Sequence, residues 1–278
     1  MSATTPAPPT THHRSHDLRA TALTLGYDDR EIVHAVDLTI APGRVTVLVG
    51  ANASGKSTLL RGIARLLTPR SGTVTLDGRD LGSMPRRSIA RVIGLLPQQP
   101  LAPDGITVAD LVSRGRYPHQ GWIRRWSSGD DELVQQALHE TDTLDLADRG
   151  LDELSGGQRQ RVWIAMALAQ DPDILLLDEP TSYLDIAHQI EVLDLVARLN
   201  RERGTTVVMV LHELSLAARY ADEMVVMCDG NIVGQGTPGE VLTEATVREA
   251  FGLESRIVPD PVTGTPLVVP IARALQLG

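Results

Sequence analysis

Residues 50–58 read Gly-Ala-Asn-Ala-Ser-Gly-Lys-Ser-Thr, and the spacing Gly50, four residues, Gly55, Lys56, Ser57 is that of a phosphate-binding loop. In such a turn successive backbone N–H groups and the N-terminus of the following helix point at the β- and γ-phosphates of a nucleotide. The candidate cradle comprises Gly50, Ala51, Asn52, Ala53, Ser54, Gly55, Lys56, Ser57 and Thr58. Lys56 brings a point charge to the phosphates, and the Ser57 hydroxyl is a ligand for Mg²⁺. A second reactive pair, Asp178-Glu179, closes the apolar run Ile174-Leu-Leu-Leu177. An Asp at the C-terminal end of a strand beside the cradle is placed to hold Mg²⁺ through its water shell. Glu179 points elsewhere, because side chains alternate along a strand, and is a candidate to orient or deprotonate the water attacking the γ-phosphate.

These groups need rigid elements beneath them. Val45-Thr-Val-Leu-Val49 is apolar and β-branched, as a buried parallel strand should be. Leu59, Leu60, Ile63 and Leu67 follow the cradle on one helical face. A second helix opens at Leu154-Ser155-Gly156-Gly157-Gln158, where Ser155 can cap and two glycines expose the first N–H groups. Two readings stand there: a Ser-capped start with glycines for close packing, or a second cradle serving a nucleotide shared with another copy of the protein.

The chain has 278 residues, enough to bury a full α/β core, and a formal net charge of −9 that argues against nonspecific DNA wrapping as its main task. With three Trp, four Tyr and one Phe, base-stacking platforms are not a theme, and no nucleic-acid partner is expected. The single cysteine, Cys228, lies in an apolar run and reads as a small core side chain in a reducing compartment. No apolar run approaches the roughly 20 residues that span a bilayer. Residues 1–17, Pro/Thr-rich without an apolar segment, read as a disordered tail with no secretion signal.

Strands are expected at 18–26, 32–40 and 72–78, forming a small antiparallel sheet that leans on the nucleotide core. Amphipathic helices at 108–114 and 130–144 mark a helical insertion within 98–150. Strands at 174–177 and 206–211 bracket a helix at 186–203, and a hairpin at 223–236 turns through Asp229-Gly230-Asn231. A short helix at 244–251 and a Pro-broken extended segment close the chain.

Taken together, the motifs resemble the nucleotide-binding subunit of an ABC transporter over about residues 18–258. Walker A matches Gly50–Thr58, the Q-loop glutamine falls at Gln98, and the LSGGQ signature stands at 154–158. Walker B is 174–178 followed by Glu179, the D-loop is Tyr183-Leu184-Asp185, the switch histidine is His212, and Tyr27 occupies the place of the adenine-stacking aromatic. The resemblance implies an α/β P-loop NTPase (RecA-like) core in 18–97 and 151–236 with an antiparallel β subdomain, a helical signature subdomain in 98–150, a C-terminal helix in 237–258 and a tail in 259–278.

It also implies roles. Glu179, His212 and Gln98 would be catalytic; Ser57, Gln98 and Asp178 would hold Mg²⁺; Ser155, Gly156, Gly157 and Gln158 would meet ATP bound to the opposite subunit; and Asp185 would couple the two sites. Segments 114–120 and 180–190 resemble the ATPases of bacterial ferric-siderophore importers, with cobalamin, haem and metal importers close by. That implies a homodimer at the cytoplasmic face of the membrane, docked on permease subunits and served indirectly by a substrate-binding protein. Arg114, Arg116, Arg124 and Arg125, with Trp122 and Trp126, are candidates for the docking face, and a solvated charged loop is the alternative for each. A regulatory nucleotide-binding module without transport is the alternative for the whole chain. Ala51 and Ala53 depart from the family's Gly-Pro-Asn-Gly, and Ala53 is constrained if its position needs φ > 0. Tyr183 stands where many relatives carry Ala or Gly.

Overall fold

The computed structural model describes residues 14–120 and 126–271. β1 (Leu18–Tyr27) and β2 (Arg30–Ile40) pair antiparallel, each burying one face. β3 (Val45–Gly50), buried along its whole length, delivers the chain into α1 (Lys56–Ile63). β4 (Ser71–Leu76) turns through Asp77-Gly78 into the short β5 (Arg79–Asp80), completing a four-stranded antiparallel sheet in the order β2-β1-β4-β5. One helical turn, α2 (Arg86–Ile89), precedes β6 (Ile93–Leu96). The helical insertion supplies α3 (Val108–Ser113) and α4 (Ser128–Glu140), which pack on α5 (Gly156–Ala169). The helix expected over 130–144 starts earlier, where the Asp130 carboxylate accepts from both the N–H and the hydroxyl of Ser127. It stops earlier too, because Asp142 turns to φ +52.

β7 (Ile174–Leu177), α6 (Ile186–Arg203), β8 (Thr206–Val210), α7 (Leu214–Tyr220) and β9 (Glu223–Cys228) then alternate, and β10 (Asn231–Gly236) folds back on β9. The resulting six-stranded sheet has the order β10-β9-β3-β8-β7-β6, parallel except at β10. Side-chain parity divides the core in two. Val45, Val47, Val49, Leu175 and Leu177 join the cluster under α5 and α6, whereas Leu48, Ile174 and Leu176 join the cluster shared with α1 and the antiparallel sheet.

Both ends differ from the sequence reading. Residues 1–13 lie outside the described residues, but 14–17 are placed by specific bonds rather than loose. His16 spans two carboxylates, Nδ1 to Asp77 at 2.7 Å and Nε2 to Asp173 at 3.0 Å, and so ties the antiparallel sheet to the start of β7. Burial disfavours the His16 cation, but the two carboxylates outweigh it and raise its pKa above 6.5. A raised folded-state pKa contributes stability that is complete below 6.5 and is lost as pH rises through the raised value. His16→Ala is therefore expected to destabilise the protein at pH 5.5–6 and progressively less toward pH 8; a destabilisation that grows with pH in urea titrations would contradict the ion-pair origin.

At the other end, α8 (Pro238–Val241) and α9 (Glu244–Phe251) lead into a hairpin, β11 (Ser255–Pro259) with β12 (Pro266–Pro270). The Pro-broken segment is thus paired structure that runs through the boundary expected at 258/259. Its turn is Asp260-Pro-Val-Thr-Gly264, where the Asp260 carboxylate accepts from the N–H groups of Val262 and Thr263 and the Gly264 N–H bonds the Asp260 carbonyl. Those N–H bonds, with Arg219 at 2.8 Å, hold the Asp260 carboxyl down at about 2.

Candidate active site

Parity along β7 puts Asp178 on the same face as Ile174 and Leu176, toward α1. Ser57, on the first turn of α1, donates its hydroxyl to Asp178 Oδ1 at 2.7 Å. The two oxygen groups expected to share a cation are therefore adjacent, and Asp178 is 2% exposed. Burial pushes its carboxyl up, and the Ser57 hydrogen bond and Arg61 pull it only partly back. A site that resists negative charge yet lines up hard oxygen donors has the chemistry of a divalent-cation site.

The cradle is as tight as the glycine spacing implies. A Cβ on Gly50 would lie 2.3 Å from the Met227 carbonyl oxygen and 2.6 Å from Ser54 Oγ. Ser54 Oγ is buried without a hydrogen-bond partner among the described residues, and the loop is pinned from behind by Gly230, whose N–H bonds the Ser54 carbonyl. Lys56 is 5% exposed and donates to the carbonyls of Gly50 and Ala51 at 3.0 and 2.8 Å. Burial lowers its pKa, against the pull of Glu179 and Asp178. An unpaired hydroxyl at Ser54, the buried Lys56 ammonium and a helix N-terminus around one loop suit a triphosphate. The cleft above the loop holds about 280 Å³ and reaches from Ser57 and Glu179 to Tyr27 and Arg30.

Ala53 has φ +65, so the position does require the left-handed conformation that Ala tolerates poorly. Ala53→Gly is expected to raise stability by about 0.5–1 kcal/mol by removing the Cβ penalty. Nucleotide-free thermal melts measure it; a lower melting temperature would show that Ala53 is not strained.

Glu179 leaves the strand with φ +53 and swings away from Asp178. His212 Nε2 lies 2.6 Å from Oε1, Gln98 Nε2 donates to Oε2 at 2.6 Å, and the Ser182 hydroxyl donates to Oε2 at 2.8 Å. Burial raises this carboxyl, but Ser182, His212 and Gln98 together outweigh it and hold it below its usual range. The three expected catalytic residues thus converge at one carboxylate. Gln98 turns its amide N–H₂ to Glu179, while Ser57 and Asp178 pair with each other.

The signature segment faces elsewhere. Ser155 and Gln158 close a reciprocal capping box, and Ser155 and Gly156 are exposed. None of residues 154–158 lines the Lys56 cleft. Gly157 is buried against the D-loop side, where a Cβ would sit 2.4 Å from the His188 ring. Asp185 caps α6 and pairs with His188 Nδ1 at 2.8 Å, bonds that depress its carboxyl, the His188 backbone N–H foremost. Tyr183, at φ +66, projects into solvent beside it.

The sequence reading missed three neighbours. Ser182 orders Glu179 from one turn away. Arg61, one helical turn after Ser57, donates to the Tyr27 hydroxyl at 3.3 Å and lies 4.0 Å from Asp178. His188 fills the space over Gly157. An i,i+4 count from Ser57 signals Arg61; nothing in the sequence marks the other two. One docking candidate is corrected. Arg116 is 4% exposed, bonded to Asp130 at 2.9 Å and to the Ala169 carbonyl at 2.8 Å, so it braces the helical insertion from within. Trp126 is partly exposed, and Trp122, Arg124 and Arg125 lie outside the described residues.

The ABC transporter family model matches residues 33–182. The achromobactin transport ATP-binding protein CbrD of Dickeya dadantii is 54% identical over 90% of this chain and 93% of its own. The ferric enterobactin transport ATP-binding protein FepC of Escherichia coli is 49% identical over 92% and 94%. Among solved structures, a transporter described as metal-chelate type, in an inward-facing conformation, superposes with a TM-score of 0.81 at 28% identity, over 94% of this chain and 99% of that one. The dimeric ATP-binding cassette MJ0796, bound to ADP and Pi, gives 0.69 at 28% identity over 79% and 98%. This chain belongs to the ABC transporter family, and within it to the subunits that bind and hydrolyse ATP. Among its described residues no helix is long and apolar enough to cross a membrane.

Proposed function

We propose that this chain powers uptake of ferric siderophores: a pair of copies, bound peripherally to permease subunits at the cytoplasmic face of the membrane, hydrolyses ATP between them. The observation that carries the hydrolytic part is the convergence of Gln98, Ser182 and His212 on Glu179, at the rim of the cleft that contains Lys56 and Ser57. The siderophore cargo is supported by the names of relatives that align over nearly the whole chain.

In this reading Tyr27 stacks on adenine, and Lys56 exchanges its loop carbonyls for phosphate oxygens. Ser57 and Asp178, with Gln98, would hold Mg²⁺, which when bound neutralises charge on the phosphates. Glu179, kept ionised by its donors, takes the proton of the attacking water, and His212 hydrogen-bonds the γ-phosphate. Backbone N–H groups and Lys56 stabilise charge that develops on the transferred group. Ser155, Gly156, Gly157 and Gln158 of one copy close over the nucleotide of the other; Ser155 and Gly156 are exposed, and none of the four lines its own cleft. Asp185 links the two sites, and closure draws the helical insertions together beneath the permease, which a binding protein loads from the other side.

The test is uptake in cells lacking the gene, given radioiron-loaded siderophore, haem or cobalamin. Loss of siderophore uptake alone, restored by the wild-type gene, is expected. Loss of only haem or cobalamin uptake would transfer the role to that cargo, and no loss of any would contradict the transport role.

A further inference from the structure

Resting on the hydrolytic role of His212, we propose that the β11–β12 hairpin is a positioning clamp for that residue, acting through α7. The His212 side chain is 44% exposed, so packing does little to fix it; the ring is held by Glu179 at 2.6 Å, and its reach to that carboxylate depends on where its backbone is placed. That backbone is held from both sides. Ahead of it, the Leu211 N–H bonds the Leu48 carbonyl at 3.2 Å, pinning it to the strand that feeds the phosphate loop. Behind it, Glu213 caps α7, its carboxylate accepting from the N–H groups of Ser215 and Leu216.

The histidine is therefore only as well placed as α7. Leu214, Ala217 and Ala218 seat that helix on the main core. Leu216 and Tyr220 pack at the edge of that seat, and the Tyr220 hydroxyl donates to Asp194 at 2.8 Å. The other face, Ser215 and Arg219 one turn apart, is gripped by the hairpin. The Ser215 hydroxyl accepts the Val268 N–H at 3.4 Å, and Arg219 Nη2 meets Asp260 Oδ2 at 2.8 Å. Asp260 cannot drift, because its other oxygen is occupied by the N–H groups of Val262 and Thr263. Ile257 and Val268 anchor the hairpin itself in the core. The contacts run without a gap from Asp260 through Arg219, α7 and the Glu213 cap to His212.

Full-length protein is assayed for ATP turnover as wild type, Asp260→Ala, Arg219→Ala, His212→Ala and His212→Ala/Asp260→Ala. Arg219→Ala breaks the clamp from the helix side and leaves the hairpin turn intact, so it separates loss of the clamp from loss of the turn's fold. Both single clamp variants are expected to lower kcat about tenfold with the KM for ATP unchanged, since a displacement of about an ångström at a reacting group has effects of this order or larger. In the His212→Ala background, Asp260→Ala should add nothing. An equal loss in both backgrounds, a change confined to KM, or full turnover of both clamp variants would overturn the clamp. If His212→Ala itself turned over at the wild-type rate, the role of His212 would fall, and the clamp with it.

Discussion

Glu179→Gln is expected to lower ATP turnover by about 10³-fold, the range for removing a positioned general base, while ATP binding persists. The substitution keeps the length of the side chain, and its amide oxygen can still accept from Ser182 or Gln98, each now 2.8 or 2.6 Å from Oε2. What disappears is the negative charge and the ability to take a proton. Because Lys56, Ser57 and the loop N–H groups are untouched, nucleotide should still enter, and pairs of copies should accumulate closed around unhydrolysed ATP. Single-turnover hydrolysis and size-exclusion chromatography with ATP measure both effects. Turnover within a few-fold of wild type would remove Glu179 as the base and leave its three hydrogen-bonding partners without a chemical purpose.

The second large effect is structural. Arg116→Ala should destabilise the chain by about 3 kcal/mol, as breaking a buried ion pair from one side does, or roughly 6–12 °C in melting temperature. The reason lies in what remains: Asp130, 2% exposed, would keep its Ser127 donors but lose its counter-charge, and the Ala169 carbonyl at the end of α5 would lose a donor. The pair binds the first turn of α4 to the last turn of α5, so helical-insertion amides should lose hydrogen-exchange protection first. Removing both charges while keeping the cap acceptor, Arg116→Met with Asp130→Asn, should be less destabilising than the single change. A single variant that melts with the wild type would mean that the pair is solvated.

Those two residues mark the boundary of what a sequence discloses. Glu179 is legible because it follows four apolar residues and an Asp in a β-strand register, and parity then delivers Asp178 to Ser57 without further information. The parallel strands are legible for the same reason: buried on both faces, they are uninterrupted apolar runs. Arg116 is not, since an Arg in an Arg- and Pro-containing loop looks identical whether it faces solvent or a carboxylate fourteen residues away. His16 and Asp260 share this difficulty. Their partners, Asp173 and Arg219, are distant in sequence, and the short-range composition around each is that of a loop. The D-loop shows an intermediate case. Tyr183 is visible as an unusual residue, but its φ of +66 and its exposure beside Asp185 emerge only in three dimensions.

Ser182, Gln98 and His212 also show why a motif order carries more than any single residue. Each comes from a different segment, after β7, after β6 and after β8, and the parallel sheet alone brings these three strand ends to one edge. A lone histidine after a strand has no such meaning.

In the proposed mechanism each hydrolytic site is shared between two copies, Lys56 from one and Ser155 from the other. It is tested most directly by mixing two inactive variants, Lys56→Ala and Ser155→Arg. The second loses an N-cap worth about 1 kcal/mol, which a domain of this size tolerates. In a mixed head-to-tail pair one site inherits both defects and the other inherits neither. ATP turnover should therefore reappear on mixing, well above the sum of the separate variants. A mixture no more active than that sum would place Lys56 and Ser155 in the same site or leave Ser155 outside the chemistry altogether, and the shared-site mechanism would be wrong.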